Sequence, residues 1–143
     1  MSNEDLTGGC LCGEVRYAFD VSGIFDAGYC HCSMCRRATG APVLAWVNVE
    51  PGAFRVTLGE PAAYASSQAG ERVFCARCGS QLFYRPADLT AHLSLNSGTL
   101  DAPQDPRVVP RVHIFGGDQL SWLALSDKLP RYPANQLPHP SKR

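Results

Sequence analysis

Seven cysteines are the residues of this sequence best suited to chemistry, because they fall in three clusters rather than singly. The clusters are Cys10 with Cys12, Cys30 with Cys32 and Cys35, and Cys75 with Cys78. Closely spaced thiolates are typical zinc ligands, whereas an odd cysteine count argues against a fully paired disulfide framework. The sequence therefore predicts metal binding in a reducing compartment.

The first and last clusters predict one closed zinc site. Cys75 and Cys78 have the spacing of a zinc knuckle, and Gly79 gives the backbone freedom that such a turn needs. Cys10 and Cys12, which a glycine also follows, supply the other two ligands of a tetrahedral shell. With no coordination position left open, this zinc is expected to be structural and to tie the start of the chain to a distant strand.

The middle cluster predicts a second zinc with an open position. Cys30, Cys32 and Cys35 can converge on one ion, and a fourth site is left for water or substrate, as in catalytic zinc centres. Three thiolates make zinc a modest Lewis acid, so activation of water is not the expected chemistry. A thiolate-rich centre is better suited to binding a substrate thiol and favouring its thiolate form. This second ion is also the one expected to be labile.

Charged residues near the middle cluster admit more than one interpretation. Arg36 and Arg37 follow the last ligand and are either anion partners for a thiol substrate or part of a solvated helix face. His31 is a zinc ligand, an acid–base group or a residue pointing away from the metal, and its position between two ligands favours the last. For His113 and His92 a hydrogen-bonded structural role is expected.

The elements that must position these residues are mainly β-strands. Residues 14–19 alternate apolar and polar side chains as a half-buried strand requires. Further strands are predicted at 27–30, 43–49, 53–57, 62–66, 72–74, 81–84, 92–96, 111–115 and 122–125. One helical turn is predicted over Ser33–Thr39, with Ser33 as the cap, Gly40 as the terminator and Pro42 preventing continuation.

Length and composition indicate one globular domain over residues 1–143, with an extended proline-rich tail from about Lys128 to Arg143. Thirteen basic side chains balance thirteen acidic ones, so neither nucleic acid nor an anionic membrane is the expected partner. No segment approaches the roughly 20 apolar residues of a membrane span. The polar stretch 1–9 does not resemble a secretion signal, and a cytoplasmic protein is expected.

Taken together, these motifs resemble those of the glutathione-dependent formaldehyde-activating family, also called Mss4-like or centromere-protein-V-like zinc proteins. The similar stretches are 9–17, 30–42, 74–80, 113–115 and 129–130. The resemblance implies a mainly β, Mss4-like fold of folded-over antiparallel sheets stapled by a four-cysteine zinc site. By the same resemblance, Cys10, Cys12, Cys75 and Cys78 match structural zinc ligands, and Cys30, Cys32 and Cys35 match ligands of a catalytic zinc.

The activity implied by this resemblance joins glutathione and formaldehyde into S-hydroxymethylglutathione, which is formally a carbon–sulfur lyase reaction in reverse. Glutathione or another thiol, together with formaldehyde or a small aldehyde, would then be the small-molecule partners. No residue outside the clusters matches a glutathione-binding motif. Two alternatives remain open, namely a non-catalytic zinc module that binds partners, and a zinc-handling or redox-sensing protein with an exposed cysteine trio.

Overall fold

The structure is a computed structural model, and it describes residues 4–135. Over that range the chain forms one α-helix, α1 (Ser33–Thr39), and ten β-strands. The strands are β1 (Asp5–Gly9), β2 (Arg16–Asp20), β3 (Ile24–Cys30), β4 (Leu44–Val49), β5 (Phe54–Leu58), β6 (Ala62–Ser67), β7 (Gly70–Phe74), β8 (Gln81–Pro86), β9 (Leu93–Asn96) and β10 (His113–Ile114). The mainly β fold is confirmed.

The strands form two sheets that share one apolar core. A three-stranded sheet has the order β1-β2-β5, and a seven-stranded sheet has the order β10-β3-β4-β9-β8-β7-β6. Every pairing is antiparallel except that of β10 with β3. Phe54 links the sheets, because its ring lies 5.5 Å from that of Tyr17 and 4.8 Å from that of Phe83 between ring centroids. Burial of such aromatic rings is a large part of the stability of a small β domain.

The N-cap of helix α1 lies one residue earlier than the sequence suggests. Cys32, not Ser33, is the N-cap, and its Sγ accepts a hydrogen bond from the Cys35 backbone N–H at 3.3 Å. A cysteine thiolate can replace the usual hydroxyl cap because it also accepts hydrogen bonds. Gly40 ends the helix in the left-handed conformation with φ of 73°, as predicted.

One strand prediction was wrong, and one strand was not predicted. The structure has no strand at 122–125, where side chains rather than a neighbouring strand satisfy the backbone carbonyls: Gln119 donates to the Leu123 oxygen and Arg131 to the Leu125 oxygen. Conversely, β1 was not predicted, although it pairs with β2 along its whole length.

The first part of the predicted tail runs beside β10. The Pro130 and Tyr132 backbone groups bond to His113, with N–O distances of 2.9 Å in each direction. This segment is largely exposed, yet it is held to the sheet by its backbone. Residues 136–143, on which the rest of the tail prediction falls, lie outside the described residues. None of the helices found between residues 4 and 135 has the length and apolar character needed to span a membrane.

Candidate metal centres

The four cysteines of the first and last clusters meet at one point. Their sulfur atoms all lie within 4.8 Å of one another. The Cys10–Cys12 and Cys12–Cys75 sulfur distances are 3.6 and 3.7 Å. A zinc–sulfur bond of about 2.3 Å in a regular tetrahedron puts sulfurs about 3.8 Å apart, whereas a disulfide would bring two sulfurs to about 2.05 Å. The donor set therefore fits a tetrahedral metal ion.

Local backbone structure supports thiolates at this four-cysteine cluster. The Val15 backbone N–H lies 3.3 Å from the Cys10 sulfur, as N–H donors stabilising a thiolate do. The Ser80 hydroxyl lies 3.2 Å from the Cys78 sulfur, and this hydrogen bond helps to lower the pKa of Cys78 to about 5. Gly79 has φ of 80°, which is the backbone freedom that the knuckle spacing predicts.

The middle cluster, called here the cysteine trio, is Cys30, Cys32 and Cys35. Its three sulfurs also lie within 4.8 Å of one another, and those of Cys30 and Cys35 are 3.4 Å apart. Cys30 is the last residue of strand β3. Cys32 is the N-cap of α1, and Cys35 lies in its first turn. Hydrogen bonds from Cys30 and then Cys35 lower the pKa of Cys32 to about 2. Three soft donors in this arrangement fit zinc.

A cavity of about 420 Å³ opens beside the cysteine trio. Its polar lining includes Asn48, Ser94 and Asn96, and its aromatic lining includes Trp46 and Phe115. The Ser94 hydroxyl donates to the Asn48 side-chain oxygen, and the Asn96 amide donates to the Gln81 carbonyl at 3.0 Å. The trio therefore lines a space that can hold a small molecule, and the four-cysteine cluster is not part of the described lining of that space.

Arg72 on β7 is the one charged side chain among the described residues that line this cavity. Its Nη1 lies 3.9 Å from the Cys35 sulfur, and its guanidinium carbon lies 5.5 Å from the centre of the Tyr84 ring. The neighbouring acid on β7, Glu71, pairs instead with Arg85. Arg72 is thus a cation held by an aromatic ring and directed at the trio.

Arg36 and Arg37, the sequence candidates for anion contacts, do not belong to the described lining of this cavity. Arg37 lines two neighbouring pockets, and one of them shares Arg72 with the trio cavity. Their proposed role stays a prediction. Sequence reasoning missed Arg72, although one signal was present: it precedes the Cys75 knuckle on a predicted strand.

The three histidines singled out in the sequence are hydrogen-bonded and belong to neither cysteine cluster. His31 Nε2 lies 2.8 Å from His113 Nδ1, and His113 Nε2 lies 3.0 Å from an Asp127 carboxylate oxygen. His92 bonds to Glu50 at 3.1 Å. The contacts of His113 and His92 are those of hydrogen-bonded structural residues. Asp127 was not singled out from the sequence.

A family model described as glutathione-dependent formaldehyde-activating enzyme matches residues 5–118. The chain belongs to this family. The match covers both cysteine clusters and the cavity-lining strands β4, β7, β8 and β9, and the resemblance found in the sequence is confirmed.

Two other proteins are similar to this chain over most of its length. A protein of Halomonas elongata, whose name provisionally assigns it the same glutathione-dependent activity, is 28% identical and the match covers 86% of this chain and 82% of the relative. A crystal structure of a Rhodobacter sphaeroides protein superposes with a TM-score of 0.52 at 25% identity, covering 71% of this chain and 92% of that one. Similarity to both extends over most of their lengths.

Proposed function

We propose that this chain is a zinc enzyme that joins a small thiol, with glutathione as the first candidate, to formaldehyde or a related small aldehyde. The observation that carries the proposal is the cysteine trio, whose three sulfurs converge beside a cavity while four other cysteines form a separate closed cluster. Family membership and the name of the Halomonas elongata relative support this thiol and aldehyde pair.

Two zinc ions would be held, one by Cys10, Cys12, Cys75 and Cys78 and one by the trio. The first would be structural, because its four ligands complete a tetrahedron. When bound at the trio, zinc would favour the thiolate form of a thiol near neutral pH. All seven cysteines are free thiols, which suits a reducing compartment, and we place the protein in the cytoplasm.

The residues around the trio would balance charge and orient the aldehyde. A substrate thiolate would be the fourth negative sulfur at this site and would require a nearby cation, and Arg72 is the described cavity residue that provides one. Asn48 accepts the Ser94 hydroxyl through its oxygen, which leaves its amide NH₂ as a donor for a carbonyl oxygen. The apolar rings of Trp46 and Phe115 would limit access of water.

The chemistry is an addition and needs no oxidant or reductant. The sulfur forms a bond to the carbonyl carbon, the carbonyl π electrons move to oxygen, and that oxygen gains the proton that the thiol has lost. Holding both reactants in one cavity removes much of the entropic barrier to this bimolecular step. The atoms of thiol and aldehyde are all retained in the S-hydroxymethyl product.

The test combines zinc content with the rate of thiol consumption. Protein purified without chelators is expected to contain about two zinc ions per chain and to consume glutathione faster than the uncatalysed reaction when formaldehyde is added. Cys32→Ser is expected to hold one zinc and to show only the background rate. A wild-type rate equal to background would overturn the proposal, and zinc release by peroxide in that case would favour the redox-sensing alternative.

A further inference from the structure

A chain of three side chains connects the cysteine trio to the C-terminal segment. His31 lies between Cys30 and Cys32, and its Nε2 is 2.8 Å from His113 Nδ1. His113 Nε2 is in turn 3.0 Å from Asp127 Oδ2. Both imidazole rings are fully buried, whereas the Asp127 side chain is 29% exposed. Buried polar side chains in such a series lower the stability of the fold unless each of their hydrogen bonds is made.

The protonation of Asp127 determines which atoms donate and which accept in this series of hydrogen bonds. Burial alone would raise the pKa of Asp127, but hydrogen bonds from the Leu129 N–H and from His113 lower it overall. An ionised carboxylate can only accept, so His113 donates through Nε2, and in the tautomer that carries its proton on Nε2 the Nδ1 atom accepts. His31 must then donate through Nε2. Asp127 therefore favours one tautomer of His113 and, through it, one tautomer of His31.

The orientation of the His31 ring depends on this chain. The other ring nitrogen, Nδ1, is buried and has no hydrogen-bond partner among the residues that the structure describes. The bond to His113 is thus the polar restraint on the ring, and the Tyr29 ring stacks on His113 at 4.8 Å. The His31 backbone N–H also bonds to the Ile114 carbonyl at 3.2 Å. The loop between Cys30 and Cys32 is consequently fixed through both its backbone and its side chain.

We propose that Asp127 is a positioning residue, which acts through His113 and His31 to hold the trio loop in its metal-binding geometry. Carboxylate–histidine partners commonly orient a metal ligand directly, and their loss typically weakens metal binding 10- to 100-fold. Here the chain would orient the residue between two ligands rather than a ligand itself. The inference rests on the proposed zinc site at the trio but not on the identity of the thiol or the aldehyde.

The test measures the metal affinity of the two sites separately. In Asp127→Ala the affinity of the trio for zinc, measured by competition with a chromophoric chelator, is expected to fall about tenfold or more. The affinity of the four-cysteine site and the melting temperature of the one-zinc protein should stay near wild type. Asp118→Ala, which removes an exposed carboxylate before the same segment, is the matched control.

A spectroscopic readout separates positioning from simple packing. With cobalt in place of zinc, the trio's absorption bands are obtained by subtracting the spectrum of Cys32→Ser, and Asp127→Ala is expected to shift and broaden them. Asp127→Asn keeps the side-chain shape and one acceptor oxygen, so it should retain an intermediate affinity and serves as the variant of choice if the alanine chain fails to fold.

Two outcomes would overturn the inference. Unchanged trio affinity and cobalt bands in both Asp127 variants would show that the carboxylate does not position the loop. An equal loss of affinity at both metal sites would show a general loss of stability instead. The wild-type protein could bind two metals, and the Asp127 variants could lose trio affinity as expected, while the wild-type protein fails to accelerate thiol addition. That result would support the positioning role and overturn the proposed function.

Discussion

The sulfur atoms of Cys12 and Cys75 lie 3.7 Å apart although 63 positions separate them in the chain. This contact joins the β1–β2 loop of the three-stranded sheet to the turn after β7 of the seven-stranded sheet. Binding of structural zinc to short zinc-finger peptides is worth about 10–16 kcal/mol at neutral pH. A metal ion at this contact would therefore account for a large share of the stability of the fold.

Replacement of a four-cysteine ligand is expected to prevent folding. Cys78→Ser should remove the first metal and leave no cooperative thermal transition, because the sheets lose the link between their loops. The measurement is zinc content together with circular dichroism during heating. Cys32→Ser is the matched control and should melt cooperatively with one zinc per chain. A Cys78→Ser protein with native melting behaviour would contradict a structural role for this cluster.

Removal of Arg72 is expected to weaken binding of the thiol. Arg72→Met keeps an apolar side chain over Tyr84 but removes the charge beside Cys35. A hydrogen bond to a charged group contributes about 1.5–3 kcal/mol, so KM for the thiol should rise roughly 10- to 100-fold. Initial rates over a range of thiol concentration measure this change.

Arg37→Met tests the alternative derived from the sequence. Arg37 lines the pocket that adjoins the trio cavity at Arg72, but it does not line the trio cavity as described. If Arg72 is the main charge partner, KM should change less than about threefold in Arg37→Met, since a charge at a rim contributes little. A larger effect in Arg37→Met than in Arg72→Met would reverse the assignment.

Chelation is expected to remove the two metals in order. The trio offers three protein ligands and lines a cavity, whereas the other cluster offers four ligands and is not part of the described lining of that cavity. A mild chelator should therefore take one zinc per chain and abolish turnover without changing the circular dichroism spectrum. The second zinc should leave only with unfolding. Release of both metals in a single step would argue against two distinct sites.

Acid is expected to remove one defined stabilising contribution. Hydrogen bonds from Arg107 lower the pKa of Asp105 to about 2. Because this value lies below the unfolded value of about 3.9, the contribution is complete above about pH 4 and is lost as the pH falls towards 2. Asp105→Asn should thus be less stable than wild type by a constant amount from pH 7 to 5. Urea unfolding should show that difference shrinking below pH 4, and a difference that grows on acidification would be inconsistent with this ion pair.

Local signals in the sequence were sufficient for most elements. Helix α1 was predicted to end at Thr39 because Gly40 terminates a helix and Pro42 prevents its continuation. Strand β1 was missed because Gly8 and Gly9 are poor strand formers. Gly8 is required by a tertiary contact, since a side chain there would collide with the Tyr17 ring. Such a requirement is set by the packing of β2 and has no local signature.

The composition of the two cysteine clusters was predictable, but their surroundings were not. Spacing alone separated four cysteines from three, and the structure brings together the same sets. The approach of Arg72 to Cys35 depends on strand order in the seven-stranded sheet. The His31–His113 contact depends on the parallel pairing of β10 with β3, and the His113–Asp127 contact depends on the backbone bonds of Pro130 and Tyr132 to His113. Long-range pairings of this kind leave no periodic pattern in one sequence.

The late position of His113 and Asp127 in the chain has a consequence for biosynthesis. A nascent polypeptide leaves the ribosome from its N-terminus, and folded regions form as their residues emerge. All four cysteines of the closed cluster are available once Cys78 has emerged, whereas the support of the trio loop is not complete until Asp127 follows. We therefore expect the structural ion to be acquired before the ion of the trio.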